Sequence, residues 1–295
     1  MIALTALVFV LTGTKTGTFA DKDLFQIEGL DKINQVVLES PKGKTILSYN
    51  GAKWVVNGKY PADRQMITVL FATLKQTVAK RKVAAHLQDS LQKEIIKSGV
   101  KISCTEAGVP AGELWAGGNS QKTETYFQKK DGTPYLVTIP GYRVYVASIF
   151  ELAANDWRDK TVFTFNWQNI KGLEVNFPTD PKQDFKASFN QKLFSIEGIS
   201  TDTTRLDGFM DALFQLHADR ILDSTEAIKF AGDLTQKPMM EIAIQDIGSR
   251  SYPLAIFPPR KGSSYVVGKI NDEIVFLNPM ALSGILRKKE FFIQH

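Results

Sequence analysis

Histidine and cysteine, the side chains that most often carry catalysis or bind a metal, are scarce in this sequence. The histidines are His86, His217 and His295, and no two of them have the spacing of a metal-ligand pair. The single cysteine, Cys104, excludes an intramolecular disulfide and a cysteine-based metal site. It lies in the alternating apolar run 100–104, which favours a half-buried strand residue, whereas a catalytic thiol needs a base beside it. The sequence therefore predicts no metal and no cofactor.

Two glycine-rich stretches and the acidic pairs offer little more chemistry. Residues 262–269 resemble a phosphate-binding loop, but five residues separate the glycines where four are needed, and Ile270 replaces the required hydroxyl. Residues 117–120 can cradle an anion through backbone amides, although a flexible hairpin connection is the interpretation we favour. Acidic pairs such as Asp156 and Asp159 are too common to assign as acid and base from spacing. These patterns favour a protein that is not an enzyme.

Length and composition indicate a folded protein with room for two domains. The chain has 295 residues, of which 43% are hydrophobic and 23% are charged. Its net charge is +5, with tight basic runs at residues 80–82 and 287–289. A nucleic-acid-binding face usually has a denser basic stripe with aromatic platforms, so the composition argues against nucleic acid as a partner.

One sequence pattern occurs twice in the chain. Residues 163–218 resemble residues 25–78 in sequence. For example, Phe-Ser-Ile-Glu-Gly at 194–198 corresponds to Trp-Val-Val-Asn-Gly at 54–58. A short phrase that ends in phenylalanine marks the module edges, at Phe25, Phe163 and Phe292. We therefore predict two tandem repeat modules, over residues 21–157 and 158–295.

Each module is predicted to contain a mostly antiparallel β-sheet with packed helices, which is the α+β class. In the first module we predict strands over residues 33–38, 44–49, 53–57, 100–104, 113–116, 124–129 and 135–139, with turns at residues 41–43 and 50–51 between the first three. A helix follows the third strand, with Asp63 as its N-cap in the first module and Asp202 in the second. Hairpin-length connections make the strands antiparallel.

The N-terminal segment, residues 1–20, differs in kind from the rest. Residues 2–11 are apolar and uncharged, too few for a spanning helix, and no basic residues precede them. We interpret the segment as a hydrophobic anchor or as the remnant of a signal, with a buried first strand as the competing interpretation.

Several phrases resemble a bacterial family of unknown function. They are found at residues 54–60, 125–127, 134–137, 139–142 and 156–160. The chain is similar over nearly its whole length to domain-of-unknown-function family 4340, in the form found in Bacteroidetes. The resemblance implies a membrane-anchored protein on the periplasmic side of the inner membrane. Some members are associated with gliding-type ABC transporter systems, which implies a protein partner of that class. No catalytic residues are known for the family, so none is carried over.

Four residues are candidates for binding. Tyr142 and Arg143 follow Pro140-Gly141, a sharp turn that carries an aromatic ring and a cation and can form a contact tip. The alternative, which is the interpretation we favour, is that Pro140 and Gly141 set the turn and Tyr142 packs on the sheet. Trp157 and Arg158 are predicted to pack across the module boundary and to fix one module against the other.

Two functions remain open at this stage. The first is a non-catalytic binding or scaffold component of a cell-envelope assembly, accessory to an ABC transporter. The second is an enzyme that processes envelope polysaccharide or peptide with carboxylates in a cleft between the modules. A deep pocket with two or more acidic side chains favours the enzyme, and a broad aromatic surface favours the binding component.

Overall fold

The computed structural model describes residues 23–130, 132–164, 168–190 and 193–294. It divides the chain into unit 1, which ends at Asp159, and unit 2, which begins at Lys160. The predicted N-terminal segment, residues 1–20, lies outside the described residues. Within the described ranges, no helix has both the length and the apolar character needed to cross a membrane.

Unit 1 is built on an antiparallel sheet that has nine strands among the described residues. The strands are β1 (Gln35–Ser40), β2 (Gly43–Tyr49), β3 (Trp54–Val56), β4 (Tyr60–Pro61), β5 (Val78–Lys82), β6 (Val100–Glu106), β7 (Val109–Gly118), β8 (Thr125–Gln128) and β9 (Tyr135–Thr138). They lie in the order β4-β3-β2-β1-β6-β7-β8-β9-β5. Alternate residues such as Val36 and Leu38 of β1 are buried, so one face of the sheet carries the core.

Two α-helices accompany this sheet. Helix α1 (Arg64–Gln76) begins at the predicted cap, where the Asp63 carboxylate accepts hydrogen bonds from the amides of Gln65 and Met66. Its apolar stripe packs on the sheet because residues three and four apart share one face. Helix α2 (Ala85–Ser98), which the sequence analysis did not predict, buries Ile95 alone among its residues.

Unit 2 has an antiparallel sheet with eight strands among the described residues. They are β10 (Ile170–Asn176), β11 (Phe185–Asn190), β12 (Leu193–Ile196), β13 (Arg220–Ile221), β14 (Met240–Asp246), β15 (Ser251–Ile256), β16 (Val266–Ile270) and β17 (Glu273–Leu277). The order is β12-β11-β10-β14-β15-β16-β17-β13, which is the order of unit 1 without β4. The helices are α3 (Thr203–Phe214), α4 (Ser224–Ile228), α5 (Ala231–Leu234) and α6 (Pro279–Leu282). Sheets and helices together confirm the α+β class.

Near the end of each unit, a single 3₁₀ turn places an aromatic side chain in the core. In unit 1 the turn Ala154–Trp157 buries Trp157, whose carbonyl accepts the amide of Asp63 at 2.8 Å. In unit 2 the turn Lys289–Phe292 buries Phe292, whose carbonyl accepts the amide of Asp202 at 2.8 Å. Asp63 and Asp202 cap α1 and α3, so the end of each unit is bonded to the start of its main helix. The phrase at Phe292 therefore corresponds in structure to Trp157, whereas Phe163 lies near the start of unit 2 and Phe25 near the start of the described part of unit 1.

Replacing Gly208 by alanine is expected to stabilise unit 2. Gly208 lies inside α3, and a Cβ added there meets no atom within 4 Å. Glycine in a helix interior costs about 0.5–1 kcal/mol relative to alanine, because the unfolded chain loses more freedom. Denaturant melting followed by circular dichroism should show a gain of that size in the Gly208→Ala variant. A loss of stability would contradict the helix described here.

Candidate functional site

A groove of about 920 Å³ lies on unit 1, and three segments of the chain form it. Its walls are the segment of residues 26–33, the β2–β3 hairpin and one face of α1. Most of the side chains in it are apolar or aromatic, and they come from all three walls: Ile27, Leu30, Ile33, Tyr49, Trp54, Ile67, Phe71, Ala72 and Leu74. Its size is that of a site for a small molecule or a short peptide segment. We call it the aromatic groove.

The β2–β3 hairpin supplies the aromatic surface of the groove. Asn50 closes the turn, since its carboxamide oxygen accepts the amides of Ala52 and Lys53. This turn sets Tyr49 opposite Trp54 across the two strands, with their ring centroids 6.1 Å apart. Tyr49 is 45% exposed, so the hairpin leaves a large part of its ring accessible from outside.

Helix α1 supplies the facing wall. Phe71 lies 5.3 Å from Trp54 between ring centroids, which continues the aromatic surface from the hairpin to the helix. Thr68 and Ala72 are one helical turn apart on the same wall. Because both side chains are short, the helix backbone can be approached closely between the aromatic rings.

The groove has one acidic and one basic side chain among the described residues that line it. They are Asp31 and Lys75, both exposed, and neither forms an ion pair with another described residue. One carboxylate without a partner acid or a histidine cannot form a general acid and base pair. In the described ranges no three histidine, cysteine, aspartate or glutamate side chains are grouped to hold a metal ion. The groove thus has the chemistry to bind an apolar segment and orient it by charge.

Tyr142 and Arg143, two of the predicted binding residues, lie at an exposed turn after β9. Gly141 has a φ of +83°, and the Tyr142 amide donates to the Ile139 carbonyl at 3.1 Å. Tyr142 is 63% exposed and Arg143 is also exposed, so the ring does not pack on the sheet as the alternative required. Val144, which follows, is 52% exposed.

Trp157 and Arg158, the other two predicted binding residues, lie within unit 1. Trp157 is 0% exposed and belongs to the core of that unit. Arg158 is 7% exposed, and its guanidinium stacks 3.5 Å from the centre of the Tyr60 ring. Their contacts described here are structural, and a role in coupling the modules or in binding stays a prediction.

The remaining chemical candidates have structural roles. Burial raises the pKa of the Cys104 thiol to about 12, so at neutral pH the thiol is protonated and unreactive. The Nδ1 atom of the His217 ring lies 2.7 Å from the carbonyl oxygen of Gln215. His86 is exposed, and His295 lies outside the described residues.

Of the stretch 117–120, Gly117 and Gly118 end strand β7, and residues 119–120 lie in the hairpin connection to β8. A Cβ at Gly118 would meet the Tyr145 ring at 2.3 Å. Glycine is needed there because the ring of Tyr145 crosses the strand at close range. The hairpin connection runs over residues 119–124, where the Asn119 side chain accepts the amides of Thr123 and Glu124.

The sequence analysis did not identify the aromatic groove. It placed Trp54 in a strand and Phe71 in the core stripe of the helix, and the structure has both residues on those elements. The available signal was an aromatic residue on either side of the Asn-Gly turn, Tyr49 and Trp54, which a hairpin must bring together. The third wall, residues 26–33, is distant in sequence and had no local signal.

A family model described as "Domain of unknown function (DUF4340)" matches residues 54–233, well over half of the chain. The chain belongs to this family. The DUF4340 match begins at Trp54 and includes the whole of α1, so it takes in one face of the aromatic groove. Tyr49 and Asp31 precede the matched residues. No curated protein matches the chain.

Proposed function

We propose that this DUF4340 protein is a non-catalytic binding component of a cell-envelope assembly. The observation that carries the proposal is the aromatic groove, which brings together exposed Tyr49 and half-buried Trp54 and Phe71 with a single carboxylate beside them. Aromatic rings anchor protein contacts because they bury a large area with little loss of side-chain freedom. The alternative, an enzyme for envelope polymers, needs two or more acidic side chains in its pocket, and Asp31 is the one acidic side chain among the described residues that line the groove.

The ligand class that fits the groove best is a protein segment with apolar or aromatic side chains. Grooves between a helix and a hairpin accept such segments as extended chains or as helices, through a few side-chain anchors. Asp31 and Lys75 then select the register by pairing with charges on the segment.

The membrane is proposed as the place of action. Residues 2–11 are apolar and uncharged, which suits a hydrophobic anchor that holds the two units on the periplasmic side of the inner membrane. Components of a gliding-type ABC transporter system are the partner class proposed, on the strength of the resemblance to Bacteroidetes members of the family. The Bacteroidetes form of the family is part of this proposal.

Duplication of one module is proposed as the origin of the two units. It is supported by the echo of residues 25–78 in residues 163–218 and by the shared order of strands in the two sheets. The turns that end in Trp157 and Phe292 also make the same backbone hydrogen bond to the cap of the main helix. After a duplication, the surfaces of the two units can diverge in sequence, so that each unit can bind a different partner or make a different contact.

Crosslinked recovery from native membranes tests the groove. We expect the Trp54→Ala variant to recover its crosslinked partner about 30-fold less efficiently, because a central aromatic anchor contributes about 2 kcal/mol or more. Trp115→Ala is the matched control, since Trp115 lies on β7 and does not line the groove. Equal recovery by the wild-type chain and the Trp54→Ala variant would remove the groove from the proposed function.

A further inference from the structure

We propose that the aromatic groove of one molecule binds residues 142–144 of a second copy of this chain. We call these residues the tip. The inference rests on the proposed function and names the partner of the same groove. The tip does not line the groove of its own chain, so the contact joins two molecules.

The tip is exposed and ordered, as a segment that binds a groove should be. Tyr142 and Val144 are 63% and 52% exposed, and Arg143 stands between them. The turn is held by the positive φ of Gly141 and by the hydrogen bond from the Tyr142 amide to Ile139. A tip that is already ordered loses little conformational entropy on binding. The Arg143 guanidinium forms no ion pair with another described residue.

The groove offers a complement to each part of the tip. The rings of Tyr49, Trp54 and Phe71 form a surface on which the Tyr142 ring can pack edge to face. The Asp31 carboxylate, which has no ion-pair partner among the described residues, matches the Arg143 guanidinium. The Lys75 ammonium can donate a hydrogen bond to the Tyr142 hydroxyl.

Charge is the reason to favour a second copy over another protein. Asp31 and Arg143 are opposite charges, each exposed and unpaired in the described structure, and each adjoins an accessible aromatic surface. A single contact of this kind explains both unpaired charges and both exposed aromatic surfaces.

The contact is heterologous, since a tip on one molecule meets a groove on the next. Each chain has one such tip and one such groove among its described residues, so the assembly is a ring if the rotation closes and a row of molecules if it does not. Three side chains form a small interface, and such interfaces are weak and transient in solution. Anchoring in one membrane raises the effective concentration and strengthens the association.

Sedimentation velocity of the full chain in detergent micelles, over about 1 to 100 μM, tests the proposal. We expect association that grows with concentration. Arg143→Glu and Asp31→Arg should each weaken it by about 10-fold or more, because each reversal sets like charges opposite one another. The double variant, Arg143→Glu with Asp31→Arg, restores the opposite charges and should recover association to within about threefold of wild type.

Lys237→Glu is the matched control, because it makes the same charge change at an exposed residue of unit 2. It should associate like the wild-type chain. A chain that stays monomeric at every concentration overturns the proposal, as do single reversals without effect or a double variant that does not recover. If the chain is monomeric while Trp54→Ala still loses a crosslinked membrane partner, self-association is wrong and the proposed function stands.

Discussion

Replacing Trp157 by alanine is expected to destabilise unit 1 by about 3–5 kcal/mol. The side chain is 0% exposed and packs in the same core as Val36, Leu70 and Phe150. Its loss leaves a cavity at the point where the end of the unit is bonded to the cap of α1. The substitution does not remove the backbone carbonyl that accepts the hydrogen bond from Asp63. The ring that holds this carbonyl in position is lost, however.

Alkylation of Cys104 provides the measurement. Cys104 is the single cysteine of the chain and is 1% exposed in the core of unit 1, so a thiol reagent reaches it only when that unit opens. A loss of 3 kcal/mol raises the open population by about 150-fold, since each 1.4 kcal/mol is a factor of ten. The labelling rate of the Trp157→Ala variant should rise by that order.

Two further variants control this result. Trp157→Phe keeps an aromatic ring and removes an indole N–H that has no partner among the described residues, so it should label more slowly than Trp157→Ala. Tyr142→Ala changes an exposed residue and should shift stability by less than about 0.5 kcal/mol. A wild-type labelling rate in Trp157→Ala would contradict the burial described here. Hydrogen exchange in unit 2 of that variant tests the predicted coupling of the modules, which requires unit 2 to lose protection as well.

Local patterns in the sequence were enough to predict the two caps and seven of the nine strands described in unit 1, but not β4 or β5. Residues 33–38 and 44–49 lie on either side of the turn residues Pro41-Lys42-Gly43, and β1 and β2 lie at or within two residues of the predicted positions. Asp63 and Asp202 cap α1 and α3 as predicted, because a cap depends on the few residues that follow it. These signals concern short stretches of chain and need no knowledge of the rest of the fold.

Features that depend on contacts between residues far apart in the sequence could not be predicted from local patterns. Helix α2 buries Ile95 alone, so its residues lack the apolar stripe that marks a packed helix. The aromatic groove needs residues 26–33 beside α1, and no local pattern encodes that contact. A 3₁₀ turn places the Trp157 ring in the core of unit 1, a direction that position along the chain does not encode, and the coupling of the modules through this residue stays a prediction.

Phe292→Ala should destabilise unit 2 as strongly as Trp157→Ala destabilises unit 1. Phe292 is 0% exposed, and its ring lies 5.2 Å from Phe185 and 5.3 Å from Phe209 between centroids. Truncating a core phenylalanine costs about 3–5 kcal/mol, because both neighbouring rings lose an aromatic contact and a cavity remains.

Hydrogen exchange resolved by peptide is the measurement for Phe292→Ala, since unit 2 has no cysteine to label. Peptides of β10, β11 and α3 should exchange about 100-fold faster or more, in proportion to the stability lost. Phe189→Ala is the matched control, because Phe189 is 43% exposed on β11 and does not belong to the buried core, so its truncation should cost less than that of Phe292. Equal protection in the two variants would contradict the assignment of Phe292 as the closing core residue. A large difference would establish that the end of unit 2, like the predicted closure at Trp157, stabilises the unit through one aromatic side chain.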